Sequence, residues 1–409
     1  MSTLNREANH VLVACASDFQ DTPYGGTLSL VRDLLSGWSD EPGWRFTLVG
    51  LARSSREMKP SAARQIGDAS IPFVPVGHLA SRTSIRLSYT QGLMRQRHAI
   101  RDLKPDLIYA HSPEAARALS WVLKDVPLVL HCHGIHNPLT LSRYPFARSF
   151  GIPGTYDRVI YRPALAASSL VLVNGDASQY EAFLSRNLQF LGGSIRRVPA
   201  TVDLTVFRPL DRSRMRRELG IRDSEPVAIF VGRLEVPKGL DFVLQSVAAL
   251  ESSGRRVRLL VVGEGAQRAA LEALAAELGL NERVTFLGRR SRQEIPRYLS
   301  AADVFVSGTV REAVSMALLE AFACGVPAVV TDGGGAQELI ADGRNGYVVT
   351  NREPAMFGER LWEVVSARGK MTEGCRQVAE RYSAHAIGRE VLQAFGELLH
   401  TGQLRAEAS

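Results

Sequence analysis

Short apolar runs rich in β-branched residues alternate with longer amphipathic runs along the whole chain. In the first half the short runs are "HVLVACAS", "RFTLVGL", "IPFVPV", "DLIYAH", "PLVLHCH" and "SLVLVNG". In the second half they are "PVAIFVGR", "RRVRLLVVGEG", "RVTFLGR", "DVFVSG", "PAVVTD" and "GYVVT". Most are continuously apolar rather than strictly alternating, as parallel strands covered on both faces require. Helical runs lie between them. In "AQRAALEALAAELGL", Leu271, Leu274 and Leu278 share one stripe and Gly279 stands near the end.

Strand–helix alternation of this length predicts an α/β protein with parallel sheets and right-handed crossovers. With 409 residues the chain has room for about two domains. The stretch "RRVPATVDLTVFRPLDRSRMRRELGIRDSEP" has prolines and charges and no strong period, and a new strand follows it. The expected organisation is a Rossmann-like domain over 1–207, a second over 208–382, and a terminal helix over 383–409 that returns to the first. Two such halves leave a cleft at the carboxyl ends of their strands, where open parallel sheets bind ligands.

Composition narrows the setting. Hydrophobic residues make up 45% and charged residues 22%, ordinary for a globular protein. Cys15, Cys132, Cys324 and Cys375 are far apart and form no CxxC pair, which fits a reducing compartment. The start "MSTLNREANH" is polar, and no uninterrupted apolar window approaches about 18 residues. The expectation is a cytoplasmic protein, peripheral on the inner face of a membrane if attached at all. The formal charge of +7 is too mild for a nucleic-acid tail, so nucleic acid is not an expected partner. It is uneven, however. Arg82, Arg86, Arg95, Arg97, Arg101 and Lys104 crowd one segment, and Arg143, Arg148, Arg158 and Arg162 another. Such runs are solvated surface or a contact for an anionic acceptor or membrane surface.

The loops after strands are where chemistry belongs. "FVGRLEVPKG" places Arg233 and Lys238 at a strand-to-helix turn, a planar fork and a point charge suited to an oligophosphate; surface charge is the plainer alternative. "VVGEG" offers Gly263 and Gly265, but Arg268 fills the third glycine place of a dinucleotide fingerprint. "TPYGGTLSLVRDLL" places Gly25 and Gly26 before a helix, where backbone can approach a ligand. "PLVLHCHGIHNP" ends a strand in His131 and His133, with His136 beyond, and His111 closes "DLIYAH". Metal binding is one reading of these histidines; a cleft-facing hydrogen-bonding group or a satisfied core residue is the other.

The most informative stretch is "REAVSMALLEAFACG", with Glu312 and Glu320 in an otherwise apolar run. A helix capped by Ser315 and ended by Gly325 puts Glu312 before it and Glu320 in its second turn. Eight residues of helix amount to about 12 Å of rise and about 80° of rotation, so the two carboxylates cannot share a proton. Between them lie the amides of the first turn, near Ala317 and Leu318, a ready anion site. Acid, amides, acid would suit a sugar, a diphosphate and a ribose; a helix-dipole charge plus an exposed glutamate is the plainer alternative.

Taken together, "YGGTLSLVRDLL", "DLIYAHSPEAA", "LVLHCHG", "VGRLEVPKGLD", "LLVVGEG" and "REAVSMALLEAFACGVPAVVTDGGGAQELIADGRNGYVV" resemble the retaining glycosyltransferases of family 4, with the two-domain GT-B architecture. The resemblance runs in order through nearly the whole chain. It implies that Arg233 and Lys238 hold the donor diphosphate, with amides near Ala317 and Leu318. It implies that Glu312 contacts the transferred sugar, Glu320 the ribose hydroxyls, and His133 the sugar and acceptor. Gly25, Gly26 and Gly263 would lie beside the donor. The implied catalytic set is His133, Glu312, Lys238 and Arg233.

The implied reaction moves a hexose-type sugar from a UDP- or GDP-sugar to a glycan, lipid-linked or small-molecule acceptor, without metal or cofactor. Departures fall at Ala313-Val314-Ser315, at Ala200-Thr201-Val202-Asp203 and at Asn174-Gly175. A non-catalytic nucleotide-sugar or glycan-binding protein of the same architecture, and an NAD-dependent oxidoreductase, are the alternatives.

Overall fold

The computed structural model describes residues 8–20, 26–38, 41–58, 63–79, 84–134, 151–310, 316–333 and 335–407. The chain divides into two compact units, Met1–Pro199 with Ile387–Ser409, and Ala200–Ala386. Each is built on one largely parallel sheet.

The first sheet contains β1 (Asn9–Ala14), β2 (Trp44–Ala52), β3 (Ala63–Ile66), β4 (Ala69–His78), β5 (Leu107–Ala110), β6 (Leu128–Cys132), β7 (Leu170–Asn174) and β8 (Ser194–Val198). Their order is β3-β4-β2-β1-β5-β6-β7-β8, with only β3 antiparallel to its neighbour β4. The two-residue period of a strand sends successive side chains to opposite faces. Leu12, Ala14, Ile108, Ala110 and Leu130 therefore enter one buried cluster. Val11, Val13, Leu107, Tyr109 and Val129 enter the other. The second cluster is closed by Leu30, Val31 and Leu34 of the Gly26–Gly37 helix and by Ile387, Val391 and Phe395 of the Ala384–Glu407 helix. The Trp38 indole N–H donates to the Gly388 carbonyl (2.8 Å) and fixes that terminal helix to the sheet.

The second sheet contains β9 (Val227–Val231), β10 (Arg258–Val262), β11 (Val284–Gly288), β12 (Val304–Ser307), β13 (Ala328–Thr331) and β14 (Gly346–Val349). Its order is β11-β10-β9-β12-β13-β14, all parallel. Every one of its strands coincides with an apolar run of the sequence. In the first sheet β3 and β8 do not. Both are edge strands that mix exposed positions with arginine, buried Arg64 in β3 and Arg196 and Arg197 in β8, so no apolar run marks them.

Residues 200–207 fall in the second unit, so the boundary lies at Pro199/Ala200 rather than at 207/208. The reason is packing: Ala200, Val202 and Phe207 are buried in the second unit's core. Val202 also exchanges backbone hydrogen bonds with the 382–384 turn (Val202 N to Tyr382 O, 3.0 Å; Ala384 N to Val202 O, 2.8 Å).

One buried ion pair braces the second unit. The fully buried Arg216 donates to Asp303 Oδ2 (2.7 Å) and to the carbonyls of Ala301, Arg222, Asp223 and Glu225 (2.8–3.0 Å). The same Asp303 oxygen accepts from the Val227 amide (2.9 Å), so one carboxylate pins the entry of β9 next to that of β12. Four cysteines are free and buried. Among the described residues no helix is long and apolar enough to cross a membrane.

Removing Asp303 leaves Arg216 as an uncompensated buried charge, which costs about 3–5 kcal/mol. Asp303→Ala is expected to lower the melting transition of the Ala200–Ala386 unit by roughly 10 °C in calorimetry. An unmoved transition would contradict this account of the pair.

Candidate active site

In the second sheet the chain order reverses between β9 and β12: β10 and β11 extend to one side, β13 and β14 to the other. Ligands of open parallel sheets bind outside the carboxyl ends of strands at such a switch point. Two of the loops singled out in the sequence emerge there, Arg233 and Lys238 after β9 and the Met316–Ala323 helix after β12.

The two loops touch through bare backbone. Gly239 adopts φ +60, and a Cβ there would lie 1.9 Å from the Gly308 carbonyl oxygen. The Val310 amide donates to the Pro237 carbonyl (3.0 Å). Arg352 adds a hydrogen bond to the Gly308 carbonyl (2.7 Å) while its guanidinium covers the Phe242 ring. Gly263 also has a packing reason. Its φ is +147, and a Cβ would sit 1.8 Å from the Gly232 carbonyl oxygen. Arg268, in the third place of the partial fingerprint, pairs with Glu264 and Glu272.

Arg233 is exposed and pairs with Glu235 (2.7 Å), a carboxylate on the same turn that the sequence did not single out. Lys238 ends the short Val236–Lys238 3-10 turn and is half-buried. Ala317 and Leu318 lie in the first turn of the Met316–Ala323 helix, and Glu320 lies in its second. Leu318, Ala321 and Phe322 bury the opposite stripe. The helix ends as expected: Gly325 has φ +72, its amide reaches Phe322 O, and the Val326 amide reaches Ala321 O (2.9 Å each).

Glu320 is largely covered, and its Oε1 stands 4.0 Å from Arg292 Nη1. Arg292, equally covered, lies over the Phe207 ring at 4.9 Å. No local spacing points to this partner, which comes from the segment after β11. Burial, and then the Glu320 charge, push the Cys324 thiol upward. Glu312, the proposed cap Ser315 and the Ala313–Val314 departure lie outside the described residues, as does Gly25. Gly26 is the first residue of the Gly26–Gly37 helix.

In the first unit the register pairs Tyr109 with Val129 and Ala110 with Leu130. Continuing it brings His111, just past β5, beside His131 on β6. The Tyr109 hydroxyl and His131 Nδ1 are 2.5 Å apart, and His111 Nδ1 and His133 Nε2 are 3.0 Å apart. Burial lowers all three histidine pKa values, His133 to about 4, so the imidazoles are neutral at pH 7. His136 lies outside the described residues.

The arginine-rich segments are partly engaged internally. Arg86 pairs with Glu114 (3.0 Å), Arg101 donates to the Val122 carbonyl (2.9 Å), and Arg162 pairs with Asp157 (2.5 Å). Arg82, Arg143 and Arg148 lie outside the described residues.

Comparison with known proteins follows the same division. The family described as "Glycosyl transferases group 1" matches residues 211–382, and the "Glycosyl transferase 4-like domain" matches residues 25–186. D-inositol 3-phosphate glycosyltransferase of Nocardia farcinica is 32% identical over 69% of this chain, and the chain spans 63% of that relative's length. The fold is shared with sucrose-phosphate synthase from Thermosynechococcus elongatus (TM-score 0.74, 20% identity, 96% of this chain and 100% of that one). It is also shared with Anabaena HepE, solved in complex with UDP and glucose (TM-score 0.70, 22% identity, 94% and 99%). Matched in order in both units, and folded on two Rossmann-like sheets, the chain belongs to the family 4 glycosyltransferases of GT-B fold.

Proposed function

We propose that this enzyme transfers a hexose-type sugar from a UDP- or GDP-sugar to a glycan, lipid-linked or small-molecule acceptor, with retention of anomeric configuration. One observation carries the reading. Arg233 and Lys238 on one side, and a helix N-terminus followed by Glu320 on the other, leave adjacent strands at the switch point of the second sheet. That is a cationic turn, a set of backbone amides and an acid, in the sequence that a nucleoside diphosphate presents to its site. The complex of Anabaena HepE with UDP and glucose supports a nucleotide donor for this fold.

In this reading the bond from the anomeric carbon to the phosphate oxygen breaks as the acceptor oxygen bonds to the same carbon. The acceptor proton passes to the leaving phosphate oxygen. Negative charge grows on the diphosphate, where Arg233, Lys238 and the Ala317 and Leu318 amides stabilise it. Glu320 accepts the ribose hydroxyls, and Arg292 orients its carboxylate. Glu312 and His133 are assigned to the sugar by family resemblance, with Gly25, Gly26 and Gly263 beside the donor. The acceptor is taken by the first unit. Metal is not required for this step.

The direct test incubates the protein with a panel of UDP- and GDP-sugars and candidate acceptors. Release of one nucleoside diphosphate, with a product whose anomeric proton coupling matches the donor's, is the expected result. No release from any donor, together with no binding of UDP or GDP, would sink the proposal.

Two variants locate the site. Glu320→Ala should weaken nucleoside diphosphate binding by about tenfold or more, the loss of a charge-assisted hydrogen-bonding group. Lys238→Ala should lower kcat by about 10²–10³-fold, as for removal of a donor aimed at transition-state charge. Wild-type behaviour in both would place the donor elsewhere.

Glu235 competes with the diphosphate for Arg233. An exposed pair contributes only about 0.2–1 kcal/mol, so Glu235→Ala should tighten nucleoside diphosphate binding by about two- to fivefold at low salt. The gain should fade at high ionic strength. Unchanged or weaker binding at low salt would show that Glu235 does not compete.

A further inference from the structure

We propose that His111, His131 and His133 form a binding site for one Zn²⁺ ion, or a similar borderline divalent metal, at the carboxyl ends of β5 and β6. His131 and His133 stand two residues apart on one face of the same chain segment. The parallel register sets His111 beside them. The potential ligand nitrogens of the three all lie within 4.8 Å of one another. Tetrahedral zinc with Zn–N bonds of about 2.0–2.1 Å holds its nitrogens roughly 3.3 Å apart. The His111 Nδ1 to His133 Nε2 separation of 3.0 Å is already near that value. Small ring rotations would bring in the third.

Two further observations point to a ligand. Nε2 of His131, whose Nδ1 is taken by Tyr109, is buried and has no hydrogen-bond partner among the described residues. A buried polar atom left in that state costs about 1–3 kcal/mol, which a metal bond would offset. The Tyr109 hydroxyl on His131 Nδ1 is the kind of outer partner that fixes the tautomer and ring orientation of a ligating histidine.

Three protein nitrogens leave a fourth position open, as in zinc sites that take an exchangeable oxygen ligand. Cys132 does not supply it. Strand alternation sends its side chain to the opposite cluster, and burial pushes its thiol up to about 12. The site shares His133 with the sugar contact proposed above, so zinc and sugar would compete for that imidazole, and metal affinity is read without substrate.

The test uses the full chain and the metal alone. Zn²⁺ is titrated in competition with a chromogenic chelator, and zinc K-edge absorption is recorded on the loaded wild type. Expected are one site per chain, a shell of three imidazoles near 2.0 Å, and at least a tenfold loss of affinity in His111→Gln and in His131→Gln, each checked for fold by circular dichroism. If a variant fails to fold, the wild-type shell and the other variant decide. Absence of saturable binding, a shell without three imidazoles, or unchanged affinity in a folded variant would overturn the proposal.

Discussion

The second unit depends on the pairing of β9 with β12 at the place where chain order reverses. That pairing leaves two loops at one edge, and they approach until backbone meets backbone. Gly239 and Gly308 have no room for a Cβ: one added to either would lie 1.9 Å or 2.2 Å from the other's carbonyl oxygen. The cationic turn and the β12 loop that leads to the Met316–Ala323 helix are therefore held at fixed spacing by the main chain itself. A diphosphate needs such fixed spacing, because stabilising charge without reorganisation is what a preorganised site contributes.

At the other end of the same two strands, Arg216 and Asp303 set their starting points. The contrast between the unit's arginines is instructive. Arg216 is fully buried and spends its donors on Asp303 and four carbonyls, so it has nothing to offer a ligand. Arg233 is mostly exposed and held by one carboxylate on its own turn, a contact a diphosphate can replace. Arg292 lies between these extremes, covered over Phe207 and close to Glu320. Burial and partner count, not residue type, separate the brace Arg216 from the cations proposed to face the ligand and to orient Glu320.

Much of this was legible in the sequence. The inner strands β9, β10, β12 and β13 of the second sheet are apolar runs because both of their faces are covered. The end of the Met316–Ala323 helix was legible because only glycine takes φ +72 easily at its Schellman turn. The edge strands β3 and β8 were not, because short, half-exposed strands carry charges that hide the period. Pairings set by the fold were also hidden. Asp303 and Arg216 are separated by 87 positions. Arg292 reaches Glu320 from a different element, and no local spacing announces it. Only the pairing of β5 with β6 brings His111 to the two histidines of the next strand.

The account's central claim is that a nucleoside diphosphate seats at the switch point of the second sheet. A crystal structure of the protein with UDP or GDP tests it most directly. The account predicts phosphate oxygens within hydrogen-bond distance of Arg233, Lys238 and the amides of Ala317 and Leu318, with the ribose hydroxyls on Glu320. A nucleotide bound elsewhere, or one with its diphosphate turned away from these groups, would contradict it.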